Sequence, residues 1–173
     1  LDRDGVINID SSDFIKTSDE WHPIPGSLDA ITKLIEHEYK IIIISNQSGL
    51  GRGLISYSDF IKINLRMISL INKAGGSVMA ILYCPSLPDS GDFNRKPGNG
   101  MFTQIAQRLN ISLNECYSIG DSPRDIDASL LSNCKPLGLR TGNGADIEQN
   151  DKYKIPMFND LSDAVDYVIK NEK

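Results

Sequence analysis

At 173 residues, with 40% apolar and 24% charged side chains, the sequence has the balance of a soluble globular protein able to bury a core, and one domain spanning 1–173 is expected. A net charge of −5 without any extended Lys/Arg run excludes a surface that tracks polyanions, so no nucleic acid partner is expected. No apolar run, that at 41–44 included, is long enough for a bilayer, nothing at the start resembles a signal peptide, and the unpaired spacing of Cys84, Cys116 and Cys134 fits a reducing compartment; a cytoplasmic protein with no membrane partner is expected.

The chain opens on Leu1-Asp2-Arg3-Asp4-Gly5-Val6-Ile7-Asn8. Leu1 reads as the last residue of an apolar strand whose earlier part lies before this sequence. Asp2 and Asp4 then stand at the strand's mouth, where two carboxylates offer a nucleophile, an acid/base and a cation site together. By itself, Asp-x-Asp-Gly reads first as an ordinary turn. Ser27 precedes Leu28, Ile31, Leu34 and Ile35, whose spacing of three and four predicts a helix. A continuous β-branched run at 40–44 predicts a buried strand. Ser56 precedes an amphipathic stretch with Phe60, Ile63, Met67, Ile68 and Ile71 that stops at Gly75-Gly76. Further strands are expected at 78–83, 117–119 and 136–139, and further helices at 101–109, from Ser122-Pro123 onward, and at 163–170.

That alternation predicts an α/β fold, a Rossmann-like three-layer α/β/α sandwich with a mainly parallel sheet and no large cap domain. Two connections are long, 9–25 and 85–100, and open sheets of this kind bind ligands beyond the carboxyl ends of their strands. At those ends lie Asp2 and Asp4, then Ser45-Asn46-Gln47-Ser48-Gly49, then Arg95-Lys96-Pro97, then Gly120-Asp121. Each has an ordinary reading as polar loop, solvated pair or turn. Together they hold what phosphoryl transfer requires: carboxylates for a hard divalent cation, hydroxyl and amide donors for phosphate oxygens, and a lysine to offset charge.

The order Asp2-x-Asp4-Gly5, Ser45-Asn46, Lys96 and Gly120-Asp121-x-x-x-Asp125 resembles the four motifs of the haloacid dehalogenase superfamily of phosphatases, over nearly the whole chain. Finer features, Asp-Arg-Asp-Gly-x-Ile-Asn, Pro25-Gly26, the run from Ser45 through Gly53, Cys84-Pro85 and Arg95-Lys96-Pro97, are similar to its heptose-bisphosphate branch, with the histidinol-phosphate branch close beside it. The resemblance implies Asp2 as nucleophile and Asp4 as proton donor and then base. It implies Mg2+ on Asp2, the Asp4 carbonyl and Asp121, with Ser45 and Lys96 binding the transferring phosphoryl group. Asn46, Gln47 and Ser48 would contact substrate, Arg95 would recognise a remote part of it, and Asp125 would support from behind the ligands or at a helix start. Arg52 and Asp10 are further candidates for substrate contact, against ordinary readings as turn and loop residues. A small phosphorylated sugar acted on by a monomer is expected, while a phospho-ligand binding module of the same fold is the alternative.

Many members of that superfamily branch carry zinc ligands as Cys-x-His and Cys-x-Cys before the Arg-Lys pair. Here the positions read Cys84-Pro85-Ser86 and Asp92-Phe93-Asn94, a poor donor set for tetrahedral zinc, so zinc is not expected. Packing by Leu87, Phe93 and the prolines would then hold this loop, or it would move. Gly98-Asn99 and Ser122 depart from the resemblance too, the latter leaving one fewer positive charge near the phosphate. His37 is expected at the surface, and His22 packed or exposed.

Overall fold

Short β-branched runs between amphipathic helices need cover on both faces, and the computed structural model, which describes residues 1–150 and 152–171, shows them covered. In chain order come a 3-10 turn (Ser18–Glu20), α1 (Ser27–Glu36), β1 (Ile42–Asn46), α2 (Ser48–Gly51), α3 (Tyr57–Lys73), β2 (Ala80–Cys84), α4 (Gly100–Leu109), β3 (Tyr117–Gly120), α5 (Pro123–Leu131), β4 (Lys135–Leu139), α6 (Gly144–Glu148), β5 (Met157–Phe158) and α7 (Leu161–Lys170). All named strand pairs are parallel: β1 with β2, β3 with β4, and β4 with β5.

The first two residues stitch these ladders together. The Leu1 nitrogen donates to Ile42 O at 2.8 Å, Ile44 N to Leu1 O at 2.8 Å, and Asp2 N to Ile119 O at 3.0 Å. Asp2 therefore emerges between β1 and β3, at the middle of the sheet's carboxyl edge, where open α/β sheets bind ligands. Successive strand residues face opposite sides. Ile43 belongs to a buried cluster with Ile31, Ile63, Met67, Ile71 and Val168 of α1, α3 and α7, whereas Ile44 shares one with Met101, Phe102, Ile105 and Ala128 of α4 and α5. These two clusters make the three layers.

Ser56 caps α3, its Oγ accepting from Asp59 N at 3.0 Å. Before α5, Ser122 N donates to Asp125 Oδ2 at 3.0 Å, with Pro123 opening the helix. At α1, Ser27 is a buried helical residue whose Oγ donates to Ile7 O at 2.7 Å. Its cap is Gly26, at φ 83, a left-handed conformation that glycine adopts without a Cβ clash. The last helix starts at Leu161, earlier than the expected 163, because Asp160 caps it, accepting from Asp163 N at 3.0 Å.

Among the long connections, 9–25 closes on itself, with Ile9 N donating to His22 O at 3.0 Å and Ile24 N to Ile7 O at 2.9 Å, over buried Ile15 and Trp21. His22 is exposed. The expectation that Leu87 and Phe93 pack to hold the other long loop is corrected: they are 42% and 60% exposed. Polar bonds around Asp92 hold that loop instead. No described helix is long and apolar enough to cross a membrane.

Candidate active site

Asp2, on the segment that runs between β1 and β3, is buried and ion-paired through Oδ1 to Lys96 Nζ at 2.9 Å. Lys96 reaches in from the loop after β2, its Nζ also 2.6 Å from Asp125 Oδ1 and 2.8 Å from Ile44 O. The Asn46 side chain fixes the lysine's backbone, accepting from Lys96 N at 3.0 Å and donating to Lys96 O at 2.9 Å. Burial works against the lysine's charge, but Asp125 and Asp2 outweigh it and raise its pKa above the ordinary range.

Asp121, at the end of β3, is seated by glycines. A Cβ on Gly5 would lie 2.2 Å from Asp121 Oδ2 and one on Gly142 only 2.0 Å away, and both glycines have positive φ. Asp121 Oδ2 accepts from Asn143 N at 2.8 Å, while its buried Oδ1 has no hydrogen-bond partner. Thr141 Oγ1 donates to Gly5 O at 2.6 Å, locking the first loop to the loop after β4.

Asp2, Asp121 and Asp125 bring carboxylate oxygens within 4.8 Å of one another. Burial pushes the Asp2 carboxyl up to about 6 against the pull of Lys96, and burial followed by the charges of Asp2 and Asp125 pushes Asp121 up to about 8. Asp125 is also buried, but Lys96 dominates and holds it below the ordinary carboxylate range. Three buried carboxylates facing one ammonium, with Asp121 Oδ1 unsatisfied, suit a hard divalent cation bound through oxygen.

Asp4 is held differently. It accepts from Arg3 Nε at 3.0 Å, Arg3 Nη2 at 2.8 Å, Asn8 Nδ2 at 2.9 Å and Gln47 Nε2 at 2.8 Å. Burial raises its pKa, but the Arg3 charge and these donors prevail and hold the carboxyl below its usual value. Gln47 also donates to Ser45 Oγ at 2.8 Å and accepts from Arg3 Nη2 at 3.0 Å, so one amide ties the two sides of the site.

A pocket of about 180 Å³ opens over these groups, with Asp2, Asp4, Ser45, Ser48, Arg95 and Arg124 in its walls. A larger cavity of about 440 Å³ lies beside Asp2 and Lys96 but is walled mainly by apolar side chains such as Ile42, Phe102 and Tyr117. The polar pocket is the one suited to a phosphorylated ligand.

Comparison with known proteins agrees with this chemistry. The family profile described as polynucleotide kinase 3 phosphatase matches residues 1–156. The chain is 42% identical over 144 residues to the D-glycero-beta-D-manno-heptose-1,7-bisphosphate 7-phosphatase of Pseudomonas aeruginosa, covering 83% of this chain and 81% of that protein. The chain belongs to this phosphatase family. Its counterpart in Neisseria meningitidis serogroup B is 35% identical over 174 residues, 98% of this chain and 93% of that one. The crystal structure of D,D-heptose 1,7-bisphosphate phosphatase from B. bronchiseptica, complexed with magnesium and phosphate, aligns with a TM-score of 0.95 at 37% identity, over 99% of this chain and 97% of that one.

Within this phosphatase fold, Asp2, Asp4, Ser45, Lys96, Asp121 and Asp125 converge, and Asp10, Asn46, Gln47, Ser48 and Arg95 join Asp2, Asp4 and Ser45 in the pocket wall. Arg52 is exposed at the end of α2 and is not in that wall. The amides of Asn46 and Gln47 are already engaged with Lys96 and with Asp4, Ser45 and Arg3. Arg3, Asn8, Arg124, Thr141, Gly142 and Asn143 escaped the sequence reading. Arg3 and Asn8 were visible inside the first motif, but nothing local marks the residues after β4.

Proposed function

We propose that this chain is a magnesium-dependent phosphatase that removes the 7-phosphate of D-glycero-D-manno-heptose 1,7-bisphosphate, the β anomer named for its relatives, in the cytoplasmic supply of lipopolysaccharide core sugar. The observation that carries the reading is the buried Asp2, paired with Lys96 and set against Asp121 beneath a polar pocket, in a chain that aligns with a magnesium- and phosphate-bound relative. Asp2, Asp121 and the backbone carbonyl of Asp4 would hold Mg2+, which supplies charge stabilisation to the transferring phosphoryl group.

Asp2 attacks phosphorus, its carboxylate oxygen forming a bond as the sugar oxygen leaves, to give an aspartyl-phosphate. Asp4 gives the leaving oxygen its proton and then takes one from the water that hydrolyses the intermediate. In the resting site Asp4 is ionised by its Arg3 contact. An arriving phosphate dianion raises the carboxyl's pKa and readies it as an acid. Ser45 and Lys96 hold the transferring oxygens, and the pocket wall bearing Arg95 holds the remote end, where binding energy positions the reacting end.

The test is phosphate release from both heptose bisphosphate anomers, histidinol phosphate and a 3′-phosphorylated oligonucleotide, with and without Mg2+. The β bisphosphate should have the highest kcat/KM, Mg2+ should be required, and Asp2→Asn should abolish turnover in a folded protein. Preference for histidinol phosphate or the oligonucleotide would replace the substrate assignment. Failure to hydrolyse any phosphomonoester would leave a binding module.

A further inference from the structure

Arg95 lines the pocket with no carboxylate within ion-pair distance among the described residues, so other groups must hold its guanidinium in place. Its Nη1 donates to Ser86 O at 2.8 Å. Ser86 is held in turn: its Oγ donates to Asp92 Oδ2 in a short hydrogen bond. The same carboxylate accepts from Asn94 N at 2.8 Å and from Cys84 Sγ at 3.5 Å, and the Asp92 carbonyl accepts from Arg95 N at 2.9 Å. Beyond it, Asn94 Oδ1 accepts from Gln104 Nε2 of α4 at 2.8 Å. Cys84 ends β2, and its carbonyl accepts from the backbone Gln47 N at 2.7 Å.

We propose that Asp92 is a positioning residue for substrate recognition: one carboxylate, satisfied by neutral donors alone, gathers Cys84, Ser86 and Asn94 and thereby sets the Arg95 guanidinium at the pocket wall. The proposal rests on the reading of Arg95 as a contact to the remote part of the substrate. Two observations make the cluster the element that holds the loop. Leu87 and Phe93 are exposed and supply little packing. Burial and the nearby charges of Arg124 and Arg52 work against Arg95 and are only partly offset by Cys84 and Asp89, so the Ser86 carbonyl helps to place it. The Ser86 bond, first among several, keeps the Asp92 carboxyl below its usual value, so the acceptor stays ionised at neutral pH.

The experiment compares wild type with Asp92→Ala, Asp92→Asn, Arg95→Ala and the Asp92→Ala/Arg95→Ala double variant, on heptose bisphosphate and on p-nitrophenyl phosphate, which has no remote phosphate. Asp92→Ala should raise KM for the bisphosphate by about tenfold, the size expected from loosening one charge-assisted contact. Its kcat/KM on p-nitrophenyl phosphate should stay within about twofold of wild type, since lost remote binding leaves the reacting end intact. Asp92→Asn, which keeps an acceptor oxygen, should fall between, and Asp92→Ala should add little once Arg95 is gone. An equal loss on both substrates, no loss on either, or full additivity with Arg95→Ala overturns the proposal. If wild type hydrolyses no phosphomonoester, the proposed activity fails separately. Amide exchange then decides on Asp92: protection at Asn94 and Arg95 should drop in Asp92→Ala and be partly kept in Asp92→Asn, and unchanged protection overturns the positioning role.

Discussion

Two aspartates with a single residue between them occupy opposite electrostatic environments. Burial, joined by the charge of Asp125, raises the Asp2 carboxyl to about 6 against the pull of Lys96, whereas at Asp4 the Arg3 charge and two amides overcome burial and hold the carboxyl below the ordinary range. Residues two apart share a face along an extended chain, but a bend at Arg3 and the turn that follows at Gly5, φ 78, take this segment off that path. Gly5 and Gly142 then close on Asp121 from two sides, which leaves no space for a methyl group on either. Gly142→Ala should therefore displace Asp121 Oδ2 and strain a residue at φ 56. Groups that orient a metal ligand typically govern affinity by ten- to a hundredfold, so Mg2+ affinity should fall by at least about tenfold in Gly142→Ala. Calorimetric titration with Mg2+ checks this, and affinity equal to wild type would mean that the cradle does not orient the ligand.

At the scale of elements, the site is assembled from strand ends and fixed by helix starts. Asp125 illustrates the economy: in the first turn of α5 it accepts from Ser122 N and pairs with Lys96, so a helix start and the site share one carboxylate. Remote caps should affect stability alone. Ser56→Ala removes the acceptor for Asp59 N and should cost about 1 kcal/mol in urea unfolding while leaving kcat/KM unchanged. The four longer strands, the longer helices and the ordered motifs were legible because periodicity and capping are local properties. β5 has only two residues, too few to show alternation, and α2, with Gly49 and Gly51 among its four residues, reads as a loop. The Thr141 hydroxyl meets Gly5 from 136 residues away, a contact that folding alone creates. The polar cluster at Asp92 was missed for another reason: attention to apolar side chains pointed to Leu87 and Phe93, although loops are often held by carboxylate and hydroxyl bonds to the backbone.

For the molecule as a whole, placing Asp2, Asp121 and Asp125 under the middle of a parallel sheet couples stability to cation binding. The Asp121 and Asp2 carboxyls are raised from 3.8 to about 8 and about 6 in the folded protein without a cation. Between those values and the unfolded range, the folded state holds more protons than the unfolded chain, so stability falls as pH rises. The contribution is full below the unfolded carboxyl pKa and is lost progressively up to about 6 for Asp2 and about 8 for Asp121. A divalent cation reverses the balance, because it favours the ionised carboxylates that burial penalises. Millimolar Mg2+ should therefore raise the melting temperature by several degrees near pH 8 and by much less near pH 5.5, where proton competition is strong. Asp121→Asn should lose most of the Mg2+ effect and flatten the fall of the cation-free melting temperature with pH. Thermal melts at the two pH values, with and without Mg2+, measure this without any turnover. An Mg2+ shift equal at both pH values, or larger at the acidic one, would show that the buried carboxylates do not form the cation site.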